Sequence, residues 1–267
     1  LGLESEVSYG YAPGQMGDAL PTVDLGTGRT AVAIDTAGYH VCAILDDGST
    51  KCWGSNSRAQ LGLGDLDHRG DELGEMGDAL SALDLGTGRT AAALAVGNQH
   101  TCVLLDDASV KCWGNNNSGQ LGLGRMDRVG DGLGEMGDAL PAVDLGTGRT
   151  AIALESGGAH TCASLDDGSL KCWGNNFSGQ LGLGDTAYRG DDAAEMGDML
   201  PAVDLGTGRN STAPFLGYAH TCALLDGATI KCWGVNEYGQ LGLGDDAIRG
   251  DDAGEMGDSL PIVDLGP

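Results

Sequence analysis

Positive charge is scarce in this sequence. Only 14 lysines and arginines stand against 39 aspartates and glutamates, a formal net charge of −25 over 267 residues. A phosphate backbone is held by clustered Lys and Arg, so this balance argues against nucleic acid and anionic membranes as partners. The acid excess reads as a solvated surface that keeps the protein soluble, or as a surface for a cation or a basic partner. Aromatic residues are scarce too, at 4%. The core must therefore come mainly from Leu, Val, Ala and Ile. No apolar run approaches the ~18 residues a membrane span needs, so no membrane insertion is expected. No signal peptide is visible. The chain starts without Met and in mid-repeat, since Leu1-Gly2-Leu3 has the phase of Leu61-Gly62-Leu63. It reads as a processed or excised segment whose targeting sequence lies upstream. No phosphate loop, nucleophile elbow or catalytic carboxylate pair stands out, and the reactive residue types recur in every repeat. A catalytic centre needs a unique constellation, so no enzyme is expected.

What the sequence does have is strict periodicity. His160-Thr-Cys-Ala-Ser-Leu-Asp-Asp-Gly-Ser-Leu-Lys-Cys-Trp-Gly174, followed by Asn175-Asn-Phe-Ser-Gly-Gln-Leu-Gly-Leu-Gly184, occurs four times. The copies start at His40, His100, His160 and His220, a period of 60 residues without slippage. A second element, Met-Gly-Asp-x-Leu, occurs five times, at Met16, Met76, Met136, Met196 and Met256. A fixed period of this size marks a propeller or solenoid, in which one repeat cannot bury its apolar faces alone. The expected organisation is a single domain over 1–267, with repeats at 1–60, 61–120, 121–180 and 181–240 and a partial one at 241–267.

Within a repeat, Leu140–Leu145 and Thr150–Leu154 read as two short strands, with the early Pro141 suited to a strand start or an edge. The next two strands form a hairpin. In Leu45-Asp46-Asp47-Gly48-Ser49, Gly48 supplies the left-handed residue after a type I turn. Ala108 replaces this glycine in the second copy, and Gly227-Ala228 shifts it in the fourth. The hairpin register sets Cys42 opposite Cys52, within disulfide range. It likewise pairs Cys102 with Cys112, Cys162 with Cys172, and Cys222 with Cys232. Zinc on His100, Cys102 and Cys112 lacks a recurring fourth ligand. Eight paired cysteines point to an oxidising compartment, hence to an extracellular or cell-surface location. The strand around Cys102 is apolar on both faces, as when sheets stack around a ring.

These motifs resemble the repeat of the regulator of chromosome condensation family, and most of all its secreted bacterial, disulfide-containing branch. The resemblance implies an all-β fold, a β-propeller built from four 60-residue repeats with four-stranded blades. It implies structural roles for His40, His100, His160 and His220, and packing of Trp53, Trp113, Trp173 and Trp233 between blades. The family's namesake closes a ring of seven repeats, acts as a nucleotide exchange factor and contacts chromatin. With four hairpins and an acidic surface here, neither activity is carried over. The expected object is a closed four-bladed ring fastened by its two end segments, an open arc completed by a second chain, or part of a longer array. In the last two cases the surplus copy at Met256 offers a strand to a neighbour. Both ends depart from the repeat: residues 1–15 have diverged, and Arg209–Phe215 replaces the usual second strand with a segment containing Pro214.

No cofactor is expected. The weak metal candidates are calcium ligands in one glycine-rich stretch, Asp185, Asp191, Asp192, Glu195 and Asp198, although their spacing matches no known calcium loop. Arg-Gly-Asp at Arg69, Arg189 and Arg249 keeps one phase and reads as a structural turn. Glycosylation patterns start at Asn116, Asn176 and Asn210. Binding should sit where repeats differ from one another, at Tyr39, Phe177, Tyr188, Tyr218 and Tyr238, because aromatics on rigid loops make good contact anchors. The expected function is a non-enzymatic extracellular module for protein interaction or surface scaffolding. The alternatives are self-association into filaments or rings and, more weakly, a calcium- or glycan-binding adhesin module.

Overall fold

In a computed structural model that describes residues 1–266, the chain forms four three-stranded antiparallel sheets. They comprise β1 (Ala31–Ala37), β2 (His40–Leu45) and β3 (Thr50–Gly54); β4 (Ala91–Val96), β5 (His100–Leu105) and β6 (Val110–Gly114); β7 (Ala151–Ser156), β8 (His160–Leu165) and β9 (Leu170–Gly174); and β10 (Ser211–Leu216), β11 (His220–Leu225) and β12 (Ile230–Gly234). Each sheet is one blade, with its strands in chain order. β1 packs on β4, β4 on β7 and β7 on β10, so the blades stack in sequence.

The second hairpin of each blade is stapled. Cys42 faces Cys52, and the other three pairs share this register. All four disulfides form, across Cα separations of 4.0 to 4.1 Å. The left-handed residue keeps its place in all four turns despite their sequences. Gly48 and Gly168 have φ of +82° and +84°, and Ala108 and Ala228 take the same left-handed place at +64° and +58°. The fourth turn keeps this register, with Ala228 N–H donating to Leu225 O, but differs one residue earlier, where Gly227 is also left-handed at +81° in place of an aspartate.

Three expectations are corrected. Leu140–Leu145 is extended but is not a ladder strand. Val143 N–H donates to Val110 O at 2.8 Å, and Pro141 has no N–H to offer. The sheets therefore have three strands rather than four, and this segment runs along the outer strand of the blade before it. The Met-Gly-Asp element thus completes the preceding blade. Met256 is 9% exposed and its segment lies on β12, where Val263 N–H donates to Ile230 O at 2.8 Å. The copy with no hairpin before it is the first, and Met16 is 59% exposed. Finally, Pro214 lies inside β10, opposite Ala223. That is permitted because β10 pairs only with β11, so no second neighbour awaits its missing N–H.

The long glycine-rich segments are ordered by contacts between repeats. Lys111 Nζ donates to Leu85 O at 3.0 Å and Gly137 O at 2.8 Å, and the three other repeat lysines do the same. The Asp138 carboxylate accepts from Thr87 N–H at 2.8 Å. At each junction the Leu-Gly-Leu segment of one blade meets the tryptophan of the next. A Cβ on Gly62 would lie 2.6 Å from the Trp113 indole nitrogen, so only glycine admits that ring. Trp113, Trp173 and Trp233 donate to the carbonyls of Gln60, Gln120 and Gln180. The buried His40, His100 and His160 reach Thr101, Thr161 and Thr221 of the next blade at 2.8 to 3.0 Å.

Candidate functional site

The five candidate calcium ligands are not gathered into one centre. Asp185 is tied to Arg189 at 2.6 Å and accepts from Ala187 N–H. Glu195 accepts from Gly190 and Asp192 N–H, and Asp198 from Thr147 N–H. Burial, with Asp191 beside it, holds the Glu195 carboxyl above the usual range. Asp192 is engaged through its backbone. Among the described residues no three His, Cys, Asp or Glu side chains cluster as a metal centre would need. The Arg-Gly-Asp arginines are spent in the same turns, Arg69 on Asp65 and Arg249 on Asp245. Asn116 and Asn176 are fully buried, their amides donating to backbone carbonyls, while Asn210 is exposed.

Three of the five aromatics do converge. Phe177, Tyr188 and Tyr218 line one cleft of about 290 Å³ at the junction of the third and fourth blades. Phe177 and Tyr188 come from the segment after β9, and Tyr218 from the β10–β11 turn. Tyr39 and Tyr238, 77% and 90% exposed, lie outside it. The loops that carry the rings are held in place by their backbone. Gly158 N–H donates to Tyr218 O at 3.1 Å, and a Cβ on Gly158 would fall 2.3 Å from that oxygen. Asn175 is the hub of the floor. Its Oδ1 accepts from Phe177 N–H at 3.1 Å and from the Gln180 amide at 2.8 Å, while its Nδ2 donates to Tyr188 OH at 3.2 Å. Gln180 Oε1 accepts from Ser178 N–H at 2.9 Å.

The repeat serves as an internal control. At the places of Phe177, Tyr188 and Tyr218, the junction of blades two and three has Asn117, Arg128 and Gly158. The first junction has Ser57, His68 and Asn98. The blade scaffold is the same, yet only the last junction carries three rings. Sequence reading missed Gly158, Asn175 and Gln180, because their role depends on which loops meet. The available signal was that three unrelated departures from the repeat fall on adjoining blades.

A second unrecognised feature spans the inner strands. Burial first, then the charge of Asp35 two blades away, pushes the Glu155 carboxyl up to about 7. Asp35 itself accepts from Val96 N–H at 2.7 Å. A carboxyl whose folded pKa is raised favours the folded state below the unfolded pKa, and that advantage is lost as pH rises through about 7. Glu155→Gln is thus expected to raise stability by about 1–2 kcal/mol at pH 8, a value discounted for partial exposure. It should change little at pH 4.5. Urea unfolding at both pH values checks this, and an equal effect at each would refute the charge origin.

Blades stapled by disulfides, stacked through a His-Thr layer and presenting variable loops at their junctions, define a β-propeller scaffold. Regions 91–120, 151–180 and 215–240 match the family model described as "Regulator of chromosome condensation (RCC1) repeat". These three regions carry the repeat of that family. The chain is 30% identical over 209 residues to the ultraviolet-B receptor UVR8 of Arabidopsis thaliana, covering 77% of this chain and 41% of that protein. It is 31% identical over 156 residues to the X-linked retinitis pigmentosa GTPase regulator of Mus musculus, covering 57% and 14%. The chain therefore spans less than half the length of these relatives. Yeast RCC1 (Prp20), in a crystal structure bound to Kap60, superposes with a TM-score of 0.63 at 18% identity, covering 83% of this chain and 45% of that one. Human WBSCR16 gives 0.64 at 16% identity, covering 88% and 53%. These two likenesses show a shared fold.

Proposed function

We propose that the protein is a non-enzymatic interaction module of an oxidising, extracellular setting, and that the cleft of Phe177, Tyr188 and Tyr218 is its contact site for a protein partner. The observation that carries this is the convergence of three rings at one junction of an otherwise uniform repeat. Rigidly mounted aromatics bury much surface at small entropic cost, which makes them anchors of protein interfaces. Fold neighbours lend support, since yeast RCC1 was crystallised bound to Kap60. Four disulfides favour a compartment where they persist. The test is parallel capture of secreted proteins on wild-type chain and on the double variant Phe177→Ala, Tyr218→Ala. At least one protein held by the wild type should be lost from the variant. Identical captures would sink the proposal.

A second reading, self-association, draws on the first blade. Val32 and Ile34 of β1 are 66% and 64% exposed, and Met16 is exposed as well. Joining of chains through this face would hide them. Light scattering should then show species larger than one chain that Val32→Lys with Ile34→Lys disperses; a wild-type monomer at all concentrations removes this reading.

A further inference from the structure

We infer that the cleft takes a cationic side chain from a basic segment, a lysine ammonium or, better, an arginine guanidinium laid over the rings of Phe177 and Tyr218. This rests on the proposed contact site and names the chemistry of what enters it. Ring faces attract cations through their quadrupoles, and three rings border this one cleft. No lysine, arginine or histidine lines it. Where the other junctions carry Arg128 and His68, this one carries Tyr188, so a cation is exchanged for a ring where the other two rings stand.

The polar groups of the cleft argue in the same direction. Asn175 and Gln180 are spent on each other, on Tyr188 OH and on the backbone of Phe177 and Ser178. A neutral sugar, whose hydroxyls need hydrogen-bonding partners, finds few free amides there. A cation needs only the ring faces. The net charge of −25 supplies the remainder, because it concentrates cations near the surface and steers them inward. Arginine fits better than lysine because its planar group stacks on rings and sheds water more readily.

The test is an NMR titration of the full chain at physiological salt. The probes are acetyl-Gly-Arg-Gly-amide and its citrulline counterpart, which keeps the shape without the charge. The arginine peptide should shift the ring signals of Phe177 and Tyr218 and bind about tenfold more tightly than the citrulline peptide. Phe177→Ala and Tyr218→Ala, at positions about three-quarters exposed, should each weaken it about fivefold. Tyr238→Ala should leave it unchanged. Equal binding of both peptides at the cleft overturns the cationic class and leaves the contact site standing. Arginine binding that survives both ring variants is diffuse attraction to an acidic surface, and it overturns the inference, as does binding of neither peptide. If the double variant also keeps every captured protein, the contact-site reading falls with it.

Discussion

Reduction of the four hairpin disulfides is expected to lower the free energy of unfolding by about 3 kcal/mol per bridge. Each joins cysteines ten apart in sequence, and closing a loop of that size removes about this much chain entropy from the unfolded state. Folded domains have margins of roughly 5–15 kcal/mol, so loss of all four should leave the chain unfolded or nearly so at ambient temperature. The loss should also be ordered. Cys42, Cys52, Cys102, Cys112, Cys162 and Cys172 are fully buried, whereas Cys222, in β11 of the fourth blade, is only partly buried. Timed reduction with alkylation and mass spectrometry should find Cys222 and Cys232 modified first. Urea midpoints should fall in step with the number of bridges lost. Unchanged midpoints after complete reduction would refute a stabilising role.

Acid should destabilise the fold steeply between about pH 6.5 and 4.5, through the histidines between blades. Thr101 Oγ1 gives its proton to Gln60 O at 2.8 Å, so it can only accept from His40, whose Nε2 must carry the hydrogen. The same holds for His100 with Thr161 and His160 with Thr221. Their Nδ1 atoms are left bare and buried without a partner. Gly97 lies flat against the His100 ring, where a Cβ would come within 2.4 Å of Nδ1. A second proton would place charge at that atom with no acceptor to receive it. Burial accordingly pushes His40 down to about 4, and His100 and His160 down to about 3.

Because these folded values lie below the unfolded one, the unfolded state binds more protons as pH falls through 6.5, and stability drops. At pH 5 the cost is about 2 kcal/mol per imidazole. Glu155 runs the opposite way over part of this range and offsets about one of the three protons. Stability should therefore rise with pH at about 2.7 kcal/mol per unit, a net uptake of two protons on unfolding. Urea unfolding at intervals from pH 4.5 to 7.5 measures the slope, and a flat profile would overturn the account. His100→Gln should be destabilised at pH 7.5 but show a shallower slope.

The period, the hairpins, the disulfide pairing and the all-β stack were legible in the sequence because each is a local or repeated consequence of chemistry. A cysteine ten residues from another across a tight turn has one partner within reach. An apolar pattern on both faces of a strand demands cover on both. Pro214 and Ala108 were harder to place, since propensity marks what a residue avoids, whereas strand order and turn geometry decide what it tolerates. The sequence by itself determined what each blade is. Tertiary structure decided what the blades share: that the Met-Gly-Asp element closes the blade before it, leaving Met16 and not Met256 uncovered; that the charge of Asp35 reaches Glu155; and that Phe177, Tyr188 and Tyr218 line one cleft. Each arises between separate blades, and a period shows that such junctions recur without saying which side chains they bring together.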